Sequence, residues 1–190
     1  MLFIKGALMD RREIKTKASI YAAFNTLLLK KSFSQITIQN IIDKANIGRS
    51  TFYSHFETKE DLLDSVCKDF YEHIMEEHKG KEKTHDFSHS INDLQNFACH
   101  ILYHIRDSSF SIGGLIQGDT SNYFYDGLQK AFHSWCLTNL KPTKKIPEEL
   151  SLAFISGNLV TICKWWVKNE YRETPERASL YYLDSIKDCL

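Results

Sequence analysis

An all-α fold is predicted, with a small N-terminal helical head followed by a larger helical body, and three observations predict it. Ile38, Ile41, Ile42 and Ala45 recur at the i, i+3, i+4, i+7 spacing that buries one face of a helix. Three prolines and eight glycines in 190 residues leave long uninterrupted segments, and no alternating run of useful strand length is present. A hydrophobic share of 43% supplies a core and argues against a disordered chain.

The elements follow in order. Asp10-Arg-Arg-Glu13 has the form of a capping box and opens a first helix. Its apolar side carries Ile14, Ala18, Tyr21, Ala22, Leu28 and Leu29, and it ends near Lys30 to Ser32. Arg11, Arg12, Lys15 and Lys17 stand at its start, where cations oppose the helix dipole, a cost that phosphates nearby would offset. Thr37 caps the second helix, Asn46 tolerates the left-handed conformation that ends it, and Ile47 plugs the turn. A short third helix starts near Gly48 and runs to Phe56, burying Phe52 and Phe56. Thr58-Lys-Glu-Asp61 is a second capping box, opening a long helix to about His78 that joins head to body. Lys79 to Ser90 reads as a linker, and further helices are predicted at 90–106, 108–117, 121–140, 147–170 and 175–188. Pro147 and Pro175 suit first helical turns, and Thr174 is a ready cap. In the 147–170 helix, Leu152, Phe154, Ile155, Leu159, Ile162, Cys163 and Trp166 make much of the circumference apolar. Such a helix is central in a core or covered on two sides.

Residues 37 to 59 carry the chemistry. Two short helices around a tight turn are the sequence form of a helix-turn-helix. Opposite its buried Phe52 and Phe56, the second of these shows Arg49, Ser50, Thr51, Tyr53 and His55, donors and flat rings that suit phosphates and base edges. Net charge is formally zero, yet residues 1–60 hold ten Lys/Arg against five Asp/Glu, and residues 61–190 fourteen against nineteen. A basic head on an acidic body is the footprint of a nucleic-acid binder with a second task.

From Thr37 through Ile41, Ala45, Ile47, Thr51, Phe52, Tyr53 and Phe56 to Lys59, with Leu62 and Leu63 beyond, the chain resembles the DNA-binding domain of the TetR family of bacterial transcriptional regulators. Ser32 and Asn46 stand where that family usually has glycine, and Gly48 stands where it usually has a capping serine, so Gly48 offers only its backbone. The resemblance implies a three-helix DNA-binding domain over residues 8–65 and a helical effector-binding and dimerisation domain over 66–190. Gly48 to Tyr53 would then enter the major groove with Arg49, Ser50 and Thr51 near base edges, Arg49 foremost because a guanidinium bonds a guanine edge bidentately. Thr37, Tyr53, His55 and Lys59 would meet phosphates.

For the body, the resemblance implies a homodimer through the two C-terminal helices, where Ser156 and Gly157 permit close approach, and KWWVKNEYRETPERA is similar to a subgroup that includes regulators of dihydroxyacetone kinase genes. It also implies a small-molecule pocket. Among the body's aromatics, which include Phe110, Tyr123 and Phe132, the candidate lining is Phe97, Tyr103, Phe124, Trp135 and Trp165, although an aromatic stripe at helical spacing serves a core equally well. The expected function is a DNA-binding transcriptional regulator, repressor rather than activator, that binds a palindromic operator as a dimer and is modulated by an effector. The alternative is an activator or co-regulator whose body binds a protein.

Other classes are poorly supported. His85/His89 and His100/His104 have helical i, i+4 spacing, but no carboxylate or cysteine completes a metal set, and surface or hydrogen-bonded histidines are expected. No nucleophile elbow, HExxH or dinucleotide fingerprint is present, so neither catalysis nor a cofactor is expected. Five scattered cysteines without a C-x-x-C pair read as reduced thiols. MLFIKGAL is too short for a signal-peptide core, and no segment reads as a membrane span, which predicts a cytoplasmic protein.

Overall fold

A computed structural model describes residues 11–76, 94–107, 112–142 and 145–190, and among these residues every regular element is a helix. The head consists of α1 (Arg11–Leu28), a short 3-10 turn (Phe33–Gln35), α2 (Ile38–Ala45) and α3 (Arg49–Tyr53). α4 (Lys59–Glu76) leads out of the head, and α5 (Leu94–Asp107), α6 (Gly113–Gln117), α7 (Ser121–Asn139), α8 (Glu148–Lys168) and α9 (Pro175–Ile186) follow. α1 packs on α2 and α6, α4 on α7, α7 on α8, and α9 on both α5 and α8. α4 is continuous across the expected domain boundary at residue 65, so that boundary falls inside a helix. The Asp10 cap, the 79–90 linker, His85, His89 and Phe110 lie outside the described residues.

The first helix buries Tyr21 and Leu28 of its expected apolar side but turns the rest of that side to solvent. Ile20, Phe24 and Leu28, spaced by four, are 0–4% exposed, with Tyr21 and Ala23 beside them. Ile14 and Leu29 are 52% and 56% exposed, and Ala18 and Ala22 also face solvent. The apolar residues of this helix fit two overlapping stripes, and the stripe that wins is the one that α2 and α6 cover. The helix ends at Leu28, short of the expected Lys30 to Ser32, and a 3-10 turn at Phe33–Gln35 follows it.

Elsewhere local chemistry gave the right ends. Thr37 Oγ1 accepts from the Asn40 amide at 3.1 Å while the Asn40 side chain accepts from the Thr37 amide, a reciprocal box that satisfies two orphan donors of α2. Asn46 adopts φ 52°, the left-handed stop expected of it. Thr58 and Asp61 make the second box at 3.0 and 2.9 Å. Thr174 accepts from the Arg177 amide at 3.3 Å, with Pro175 as the first residue of α9.

Body packing centres on Phe132, Ile155, Leu159, Cys163, Trp166 and Tyr182, all 0% exposed. Glu170 and Tyr171 both take left-handed backbone between α8 and α9, a costly pair for side chains with a Cβ. The strain is held by Trp166, whose indole donates to Glu173 O at 2.8 Å and whose ring meets Tyr171 edge-on at 5.0 Å. By length and composition α8 is apolar enough to cross a bilayer, contrary to expectation, but one face of it is the centre of this core. Its other face is a solvent-side stripe, with Leu150, Phe154 and Trp165 at 43%, 46% and 40% exposure.

Candidate nucleic-acid interface

The α2–α3 unit presents a polar face because its apolar residues are committed below. Ile41, Ile42, Ala45, Phe52 and Phe56 are buried, which fixes the rotation of both helices and turns Arg49, Ser50 and Tyr53 outward. Tyr53 is 47% exposed and stands edge-on to Phe52 at 5.6 Å. Thr51 and His55 are half-buried, His55 beside the ring of Phe56 at 6.1 Å. Gly48 has extended backbone and no side chain caps α3.

Gln39 belongs to this face, and the sequence reading did not include it. Its carbonyl accepts from Arg49 Nη2 at 3.0 Å, and its amide nitrogen donates to Asp43 at 2.7 Å. The chain Asp43–Gln39–Arg49 links α2 to α3 across the solvent face and holds the guanidinium at a defined place. Only the i, i+4 spacing of Gln39 and Asp43 hinted at it; the ten-residue reach to Arg49 depends on the turn.

Lys59 has a different occupation from the phosphate contact expected. Its ammonium donates to Phe33 O at 2.8 Å, Ile36 O at 2.9 Å and Ser34 O at 3.4 Å, and lies 4.5 Å from the Phe33 ring centroid. An ammonium has three donors, and all three are used within the head. Lys17, near the start of α1, pairs with Asp69 of α4 at 2.8 Å rather than standing open to a phosphate. Tyr21 joins the same point, hydrogen-bonded to Ser65 at 2.8 Å and Asp69 at 2.9 Å. Thr37 uses its hydroxyl as a cap and remains exposed.

The five aromatics expected to line one pocket do not border one groove, although Phe97 and Trp135 meet at 4.6 Å. Phe97 and Phe124 are core residues at 3% and 0% exposure, Phe124 against Phe70 and Tyr71 at 5.3 and 5.6 Å. Trp135 lies parallel to Phe132 at 5.7 Å, and Tyr103 donates to Glu176 of α9. Trp165 is on the outside of α8, facing Tyr181 at 5.9 Å. A groove of about 500 Å³ lies instead between α7 and α8, lined by Asp126, Gln129, Lys130, His133 and Ser156 among others, and none of the five aromatics borders it. His100 and His104 are buried rather than superficial, at 7% and 4% exposure, and His73 of α4 joins them. Their rings meet edge to face at 4.3 and 4.7 Å, and among the described residues no three metal-ligating side chains are set to hold an ion.

Comparison with known proteins places this geometry. The family model for bacterial regulatory proteins of the tetR family matches residues 20–66. A TetR transcriptional regulator from Streptococcus agalactiae 2603V has a similar structure, with a TM-score of 0.66 and 32% identity over 93% of this chain and 96% of that one. Two curated relatives are similar over shorter stretches. The uncharacterized HTH-type regulator YxbF of Bacillus subtilis (strain 168) is 37% identical over 71 residues. The HTH-type dhaKLM operon transcriptional activator DhaS of Lactococcus lactis (strain IL1403) is 29% identical over 65. These matches take in 35% and 34% of this chain, which spans 19% and 35% of the relatives' own lengths.

Proposed function

Since the chain belongs to the TetR family of bacterial regulatory proteins, we propose that it is a DNA-binding transcriptional regulator whose α3 enters the major groove. The observation that carries this reading is the outward polar face of α3, set on the buried Phe52 and Phe56, with Arg49 held by Gln39. Arg49 reads a base edge, Ser50 and Thr51 flank it, and Gly48 brings backbone close to the duplex. Tyr53, His55 and the Thr37–α2 terminus meet phosphates. Lys59 contributes by shaping the head.

Two chains act together. The stripe Leu150–Phe154–Trp165 on α8 is apolar surface that a second copy covers. A two-fold dimer sets two recognition helices about 34–36 Å apart, or a multiple, on a palindromic operator. Repression by occupancy of that operator, in the cytoplasm, is the simplest outcome. An effector bound by the body modulates it by biasing the two heads toward or away from that spacing. The second reading, activation, is favoured by one observation, the activator name carried by the Lactococcus relative.

The test is fluorescence anisotropy of the purified chain on labelled DNA from upstream of its own gene against a scrambled duplex of equal length, at physiological salt. Tighter binding to the upstream DNA is expected, and equal binding to both would overturn the reading. A reporter fused to that DNA then separates repressor from activator by the sign of its response.

A further inference from the structure

We infer that Asp119, a body residue outside the DNA-facing set, is a positioning residue for DNA recognition. The Phe33 peptide is held from both sides. Its N–H donates to both carboxylate oxygens of Asp119, at 2.9 and 3.1 Å, and its carbonyl accepts from Lys59. Phe33 also anchors its ring edge-on to Phe24 at 6.1 Å. Residues 33–36 lead straight into Thr37, the cap of α2, so this segment is built into the head, and a body residue that holds it acts on the orientation of the head as a whole.

A second tie lies beside the first. The Gly114 amide of α6 donates to Asn25 Oδ1 of α1 at 2.6 Å. A Cβ at Gly114 would fall 2.6 Å from Asn25 O and 2.7 Å from Leu28 Cβ, so α6 lies flush on α1 where only glycine fits. Asp119 follows immediately on the Gly118 that ends α6. Head and body are therefore joined along α4, where Lys17 and Tyr21 of α1 meet Asp69, and, across a separate junction, by Asn25–Gly114 and Phe33–Asp119. Contacts along α4 alone leave the head free to swing with that helix; the added points on the α6 side fix the angle. A single head reads its half-site whatever that angle is. Two heads on one palindrome must both be in register, and the second binds with an effective concentration set by how well the body aims it.

This inference rests on the paired half-site reading above, and the test separates the two. The palindrome that the wild-type chain selects from random duplexes is compared with the same duplex carrying one scrambled half. Asp119→Ala is expected to bind the intact palindrome about tenfold more weakly, as the effective concentration of the second head falls, and to change less than twofold on the half-scrambled duplex. Asp119→Asn, which keeps one carbonyl acceptor, falls between. Palindrome affinity within twofold of wild type, or an equal loss on both duplexes, would overturn the inference. Where circular dichroism shows Asp119→Ala unfolded, Asn25→Ala is read in the same pair of assays with the same outcomes. A wild-type chain with no preference for paired half-sites overturns both readings, whereas a wild-type preference retained by Asp119→Ala overturns only this one.

Discussion

Lys59 shows how a residue's neighbours decide its role. A lysine at the end of a basic recognition segment reads as a phosphate contact, but three backbone carbonyls converge on this one. Lys59→Met, which keeps the stem and removes the charge, should lower stability by about 2 kcal/mol, since a charged donor lost to part-buried acceptors costs that order. Denaturant titration measures it. The salt slope of DNA binding should not move, and a slope shallower by about one unit would return Lys59 to the phosphates. Arg49→Ala should behave oppositely, keeping stability while losing about 1–3 kcal/mol of discrimination at one base pair. An unchanged ratio of operator to scrambled affinity would remove Arg49 from base readout. The thiols give a third residue-scale expectation. Burial pushes Cys67 and Cys99 up to about 11 and Cys136 and Cys163 up to about 12. These four stay protonated at pH 8, so an aromatic disulfide reagent should react slowly with the native chain and rapidly with all five cysteines once it is denatured.

Helix ends are the element-scale determinants. Asn46 supplies the left-handed residue at which α2 stops, so the crossing of α2 and α3 hinges on one φ angle. Asn46→Ala should cost about 1 kcal/mol, because a Cβ in that region meets the following carbonyl, whereas Asn46→Gly should be nearly neutral. Thermal melts of the two variants check this, and equal melting points would show that the turn is not what holds the pair. Thr37, by contrast, was legible outright, since capping is satisfied within four residues of sequence. The face of α1 was not legible: Ile14 and Leu29 are as apolar as Ile20 and Phe24, and only the position of α2 and α6 chooses between them.

At the scale of the whole molecule, the apolar exterior of α8 is the feature with most consequence. Phe154→Glu together with Trp165→Glu places charge on the stripe without touching the core, since both are at least 40% exposed. Sedimentation should show the dimer of the wild-type chain reduced to monomer, with operator affinity down about 100-fold or more as the second head loses its tether. A double variant that still sediments as a dimer would place the interface elsewhere. The body's interior follows the same logic. Phe97 and Phe124, read from the sequence as a ligand wall, fill the core, Phe124 against Phe70 and Tyr71 at 5.3 and 5.6 Å and Phe97 against the half-buried Trp135 at 4.6 Å.

Neighbouring residues were enough to set the all-α class, the caps at Thr37, Thr58 and Thr174, the stop at Asn46, and the outward Arg49–Ser50–Tyr53 face, because each depends on residues within a few positions of one another. Tertiary structure alone decided which stripe of α1 is buried, that Gln39 holds Arg49, that Lys59 is spent inside the head, and that Asp119 reaches Phe33 across 86 positions. Those outcomes depend on distances between segments far apart in the chain, and periodicity carries no information about such distances. The polar face of α2 and α3 follows this division: local chemistry makes its side chains, and long-range contacts hold them in place.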